Sequence, residues 1–153
     1  VIKRRGVKVK NLILVSHGKF AEGLKTSLDM FAGDAIERVH TLCLYNGESA
    51  DDFKKKVNDF FEEHNFSSKD EFVILADIIG GSPLTTFLSV FSERGLMSKG
   101  VVLGGMNFTM ALTVSLDTMS KEDIAKNALD EARQALKQYE VTPEDNTDDD
   151  DDI

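Results

Sequence analysis

Two short apolar runs each end on a residue that can do chemistry. Leu12-Ile13-Leu14-Val15-Ser16 leads into His17-Gly18, and Phe72-Val73-Ile74-Leu75-Ala76 leads into Asp77. An imidazole acts as nucleophile, base or metal ligand according to how its two nitrogens are occupied. A carboxylate that accepts from one nitrogen fixes the tautomer, leaves a lone pair on the other, and stabilises positive charge that develops on the ring. Behind the acid, Gly80-Gly81-Ser82-Pro83 opens a helical stretch. Glycines let backbone approach a ligand closely, and the free N–H groups of a helix start attract an anion. The hydroxyls of Ser82 and of Ser16, beside the histidine, are candidate donors to the same anion. The constellation is therefore His17 as nucleophile, Asp77 as its orienter, and an anion cradle of Ser16, Gly80, Gly81 and Ser82. Together these parts suit the acceptance of a phosphoryl group. Each part alone also has a plainer reading: a structural histidine after a strand, helix-capping grammar, an acid capping a loop. His17 and Asp77 have no third or fourth ligand at familiar metal spacing, so no metal is expected and no cofactor is assigned. The Gly-x-x-x-x-Gly-Lys-Ser/Thr phosphate loop is absent.

Chemistry of this kind needs the two runs side by side. Continuous apolar segments of this length, bounded by turn signals, read as strands buried on both faces of a parallel sheet, here residues 10–16 and 72–78. A helix is expected over 20–31, with Leu24, Leu28 and Phe31 on one face and Gly33 as its stop, followed by a strand over Val39–Leu44. Ser49 caps the next helix and Asp52 completes a capping box, with Phe53, Val57, Phe60 and Phe61 facing inward. Ser82 is expected as cap and Pro83 as first residue of a helix carrying Phe87, Leu88, Val90 and Phe91 to the core. A short strand over Gly100–Leu103 follows, then helices capped by Asn107 and by Ser120, the last running to about residue 136. Strand and helix thus alternate through four units, the pattern of an α/β doubly wound, mostly parallel sheet with helices on both faces. Strand order 2-1-3-4 makes the first and third strands neighbours. Their carboxyl ends then form the crevice where such sheets bind ligands, and those ends carry His17 and Asp77.

At 153 residues the chain is one domain's length, enough to bury roughly 70 per cent of the surface its unfolded form exposes. The net charge of −9 is concentrated at one end, for residues 1–139 carry only −1. The expected organisation is a basic flexible extension over 1–9, a domain over 10–141 and an acidic disordered tail over 142–153. The basic start (Lys3, Arg4, Arg5, Lys8, Lys10) lacks interleaved aromatics or a basic helix, so no nucleic-acid partner is expected. The lone Cys43 cannot form an internal bridge and reads as a small core residue in a reducing, cytoplasmic setting. No apolar run approaches the roughly 18–20 residues of a membrane helix. His40 and His64 are assigned no function.

Ile13-Leu14-Val15-Ser16-His17-Gly18, Ala76-Asp77-Ile78-Ile79-Gly80-Gly81-Ser82-Pro83 and Gly105-Met106-Asn107 resemble, in order and spacing, the IIA components of the mannose family of the bacterial sugar phosphotransferase system. The likeness covers residues 10–139. It implies a cytoplasmic phosphocarrier that takes phosphate from the histidine-containing phosphocarrier protein and passes it to a IIB component, which phosphorylates sugar during uptake through a membrane permease. His17 is then the phosphorylated residue, through Nε2, with Asp77 holding Nδ1 and Ser82 beside the phosphate. The resemblance also implies a homodimer whose sheet is completed by a fifth, antiparallel strand swapped from the partner. Residues 135–141 are the expected strand, although 120–139 reads as amphipathic helix almost to its end. Because the chain runs into acid rather than into a linker, a free-standing IIA is expected.

Other readings of the same crevice remain at this stage. The phosphotransferase subunit of dihydroxyacetone kinase has a first domain with this fold and a similarly placed histidine, but Gly80-Gly81-Ser82-Pro83 favours the sugar-uptake branch. A phosphatase using a histidine after its first strand would want an arginine where Ser16 stands. A flavin- or anion-binding module of the same fold is the remaining alternative. A receiver-like domain would want acids after the first strand, where Lys19 and Phe20 follow instead.

Overall fold

The computed structural model describes residues 9–143. The expected basic extension and acidic tail fall almost wholly on residues 1–8 and 144–153, outside the described residues. Four parallel strands form one sheet: β1 (Val9–His17), β2 (Val39–Leu44), β3 (Asp70–Ala76) and β4 (Gly100–Leu103), in the order β2-β1-β3-β4. This is the order expected from the alternation of elements. Successive side chains of β1 and β3 serve opposite faces, as a pleated strand requires. Leu12, Leu14, Val73 and Leu75 pack on one face under α1 (Phe20–Leu28), α4 (Phe108–Leu116) and α5 (Lys121–Ala135). Ile13, Val15, Ile74 and Ala76 pack on the other under α2 (Ala50–His64) and α3 (Ser82–Glu93). Right-handed crossovers dictate this division. The chain moves from β1 to β2 with α1 on one face, then reverses past β1 to β3 and on to β4 with α2 and α3 on the other.

Local rules explain most boundaries. Ser49 accepts from the Asp52 N–H at 3.0 Å and Asp52 returns the bond to the Ser49 N–H at 3.2 Å, closing the capping box that starts α2. Asn107 accepts from the Met110 N–H at 2.8 Å and Ser120 from the Asp123 N–H at 3.2 Å, starting α4 and α5. Three expectations shift. The first helix stops at Leu28, and Phe31 lies exposed with its ring 5.4 Å from that of Phe108, because a 3₁₀ segment, Gly33–Arg38, intervenes before β2. β3 ends at Ala76 and not at Ile78. α3 begins at Ser82 with Gly81 as its cap, so Ser82 is the first helical residue and Pro83 the second.

The α2 face of β2 holds a histidine in apolar company. The His40 ring lies 5.3 Å from that of Phe60, 5.9 Å from Phe66 and 4.8 Å from His64, and its buried Nε2 has no partner among the described residues. Burial, followed by the like charges of His64 and Lys25, lowers its pKa from 6.5 to about 4 against a smaller opposing effect of Asp70. Between those values the unfolded chain binds a proton that the folded chain refuses, so stability is complete above pH 6.5 and is lost as pH falls toward 4. At about 1.4 kcal/mol per unit the loss on going down to pH 5 is on the order of 2 kcal/mol, reduced by solvent screening of the partly exposed ring. Urea midpoints at pH 7.5 and 5 should fall accordingly for the native protein, and His40→Phe should flatten that slope.

Candidate functional site

The pairing register brings the two candidate residues together. In parallel pairing Val15 of β1 lies opposite Ala76 of β3, and the Asp77 N–H donates to the Val15 carbonyl at 3.2 Å, one step beyond the strand. His17, opposite Leu44 of β2, is the last residue of β1. From these positions Asp77 Oδ2 accepts from the His17 backbone N–H at 2.9 Å and meets His17 Nδ1 at 2.8 Å, while Oδ1 accepts from the Ile78 N–H at 2.9 Å. Burial of Asp77 raises its pKa, but the hydrogen bonds from the His17 backbone, the His17 ring and the Ile78 backbone outweigh it, so the carboxyl lies below its ordinary value. An ionised carboxylate only accepts. In the neutral ring Nδ1 must therefore carry the proton, which leaves the lone pair on Nε2.

The rest of the ring is fixed sterically. A Cβ placed on Gly81 would stand 2.7 Å from His17 Cε1 and 3.1 Å from Ile78 Cγ1, so the bare α-carbon is what allows the imidazole to sit against the start of α3. Gly80, at φ +85°, makes the turn that delivers Gly81 there in a conformation strained for any other residue. The first turn of α3 has no side-chain cap, and its first backbone bond runs from the Thr85 N–H to the Gly81 carbonyl. Among the described residues the N–H groups of Gly81, Ser82 and Leu84 are thus the unpaired donors of a helix start, Pro83 contributing none. Ser82 is exposed and its hydroxyl has no partner among the described residues. The loop after β4 closes the other side, where the Met106 N–H donates to the Ala76 carbonyl at 3.0 Å. Asn107 of the same motif serves as the α4 cap.

Of the expected site residues, His17, Asp77, Gly80, Gly81 and Ser82 lie together at the carboxyl edge of the sheet. Ser16 does not. Its side chain is fully buried, with Oγ accepting from the Ala21 N–H at 2.8 Å and lying 3.8 Å from Cys43 Sγ. The correction follows from the pleat: residues adjacent on β1 point to opposite faces, so with His17 turned to the crevice, Ser16 turns under α1 and caps that helix from behind. An apolar rim went unanticipated. Phe20, three residues after His17, and Ile78 and Ile79, directly after Asp77, are all at least half exposed, and the His17 side chain itself is 47 % exposed. The signal was two isoleucines continuing past the acid, which reads equally as the end of a strand. Among the described residues no three His, Cys, Asp or Glu side chains converge to hold a metal, and no helix is long and apolar enough to cross a membrane.

A family model described as the PTS system fructose IIA component matches residues 11–132. The chain belongs to that family. Its members are IIA components of the sugar phosphotransferase system, and phosphoryl transfer is the family's chemistry. Solved structures agree in fold. The mannose/sorbose-specific IIA subunit from Enterococcus faecalis superposes with a TM-score of 0.73 at 20 % identity, covering 88 % of this chain and 97 % of that one. A phosphotransferase system component EIIA from Streptococcus agalactiae gives 0.70 at 26 %, covering 85 % and 97 %. A IIA protein associated with the fucose utilization operon of Streptococcus pneumoniae gives 0.66 at 26 %, covering 86 % and 99 %.

Two substitutions probe the seating of the ring in this IIA chain. Long-range ¹H–¹⁵N spectra recorded where the imidazole is neutral should show Nε2 of His17 as the unprotonated nitrogen. Asp77→Ala should yield a mixture of tautomers. Gly81→Ala should displace the ring and shift the same resonances even though Asp77 is intact.

Proposed function

We propose that the protein is a phosphocarrier which takes a phosphoryl group onto His17 Nε2 from the histidine-containing phosphocarrier protein and passes it to a IIB component. The reading rests above all on one observation: Asp77 occupies Nδ1 of a half-exposed ring whose Cε1 packs against the start of α3, so the lone pair is left on Nε2. The chemistry balances without a proton leaving the acceptor. The Nε2 lone pair attacks phosphorus, the bond to the donor's imidazole nitrogen breaks, and the electron pair stays with that nitrogen. Positive charge on the phosphorylated ring is met by the Asp77 carboxylate, and the phosphoryl oxygens are met by the α3 N–H groups and the Ser82 hydroxyl. Reversal onto a IIB component needs only a second nucleophile in the same place. A carrier must not hold phosphate too tightly, and a cradle of neutral donors suits that better than a cationic clamp.

The role is cytoplasmic, alongside a membrane permease that the carrier serves through its IIB partner. The assembly we propose is a homodimer. β4 is an edge strand of four residues with Val102 exposed, and past the end of α5 the residues Leu136, Tyr139 and Val141 stand exposed without a partner surface among the described residues. Exchange of residues 136–141, the expected 135–141 less Ala135, which closes α5, as an antiparallel strand onto the partner's β4 covers both.

Incubation with the phosphorylated histidine-containing phosphocarrier protein should leave acid-labile, base-stable phosphate on the native chain and none on His17→Ala. Label persisting in that variant would defeat the assignment. Asp77→Asn should slow uptake at least about tenfold with the fold unchanged by circular dichroism. In sedimentation at micromolar concentration, Leu136→Asp combined with Tyr139→Asp should convert a dimer to a monomer.

A further inference from the structure

Ile79 is the most exposed large apolar side chain at the carboxyl edge, 79 % accessible, yet it is not free to point anywhere. It lies across the backbone of Gly104, where a Cβ would fall 2.1 Å from Ile79 Cγ1 and 2.6 Å from Cδ1. Gly104 follows the last residue of β4, and Met106, two residues on, is tied to the tip of β3 by its N–H bond to the Ala76 carbonyl at 3.0 Å. The bare backbone at 104 is thus a shelf of fixed height, and Ile79 rests its Cγ1–Cδ1 arm on it while most of the side chain stays open to solvent. On its other side Ile79 is two residues from Asp77 and two from Gly81, the groups that seat the His17 ring.

Any protein that brings a phosphoryl group to Nε2 must place its own nitrogen in line with that atom, within a few ångströms of the ring. It therefore covers the rim beside His17. An exposed apolar side chain braced on one side by backbone is a good anchor for such contact, because it has fewer rotamers to lose when the partner arrives. We propose that Ile79 is the anchor by which the phosphohistidine-bearing donor protein docks, entering an apolar depression beside the donor's own histidine, and that Gly104 sets its rotamer. This rests on the phosphocarrier reading and adds to it a residue that governs partner affinity and not the transfer step.

The test measures initial rates of phosphoryl uptake as the donor concentration is varied. Ile79→Ser should raise the donor KM about tenfold, the scale of one lost apolar anchor, while kcat stays within about twofold. The His17 ¹H–¹⁵N signature should not move. Gly104→Ala should raise KM in the same direction by displacing Ile79, and it should cost nothing further when added to Ile79→Ala, since the group it displaces is gone. A KM for Ile79→Ser within about twofold of native overturns the anchor, and effects of Gly104→Ala and Ile79→Ala that multiply overturn the shelf. If Gly104→Ala unfolds, the two Ile79 variants decide the anchor alone, because an exposed side chain can be cut back without opening the core. A native chain that takes no phosphate from the donor at all defeats the phosphocarrier reading, and this inference with it. Label on the native chain with an unchanged KM for Ile79→Ser defeats this inference only.

Discussion

The contact between Asp77 Oδ2 and His17 Nδ1, 2.8 Å long, is the constraint around which the carboxyl edge is built. Neither residue has that partner by local sequence, since sixty positions separate them. Only parallel pairing of β1 with β3, in the register that sets Val15 against Ala76, brings their tips together. A slip of one residue in either strand would turn one of the two side chains to the opposite face. The register is defended by the core itself, because Ile13, Val15, Ile74 and Ala76 would trade places with Leu12, Leu14, Val73 and Leu75. The position of a proton on one imidazole nitrogen is therefore underwritten by the packing of five helices.

The same carboxylate holds more than the ring. Its Oδ2 also accepts from the His17 backbone and its Oδ1 from the Ile78 backbone, so three donors converge on a small, partly buried group. This convergence keeps Asp77 ionised despite its burial. It also means that the acid is oriented before any ligand arrives, with no rotamer left to order when charge develops on the imidazole.

Much of this was legible in the residues. The alternation of apolar runs with capped amphipathic stretches specified four β-α units, and Ser49, Asn107 and Ser120 cap the helices they were expected to cap. The convergence of His17 with Asp77 followed from the doubly wound order. What the sequence concealed were facts of direction and not of type. Ser16 sits next to His17 in the chain but on the other face of the sheet, so its hydroxyl serves α1. Ser82 has the chemistry of a cap, yet Gly81 takes that place because its bare α-carbon is needed against the imidazole, and the serine hydroxyl is thereby left unspent. Phe31 sits at helical spacing from Leu24 and Leu28, but the helix ends before reaching it and a 3₁₀ turn begins at Gly33. The shelf at Gly104 has no sequence signature beyond a glycine pair that any tight turn would explain.

Pro83 sits second in α3, where a different residue would offer a further amide to an anion at the helix start. The ring closure of proline deletes that donor while leaving the helix geometry undisturbed. One charge-assisted hydrogen bond contributes about 1.5–3 kcal/mol, or roughly ten- to a hundredfold in dwell time if the loss falls on departure. In the proposed role a missing amide is then a setting of residence time: the passenger is kept long enough to be handed over and not long enough to be stranded.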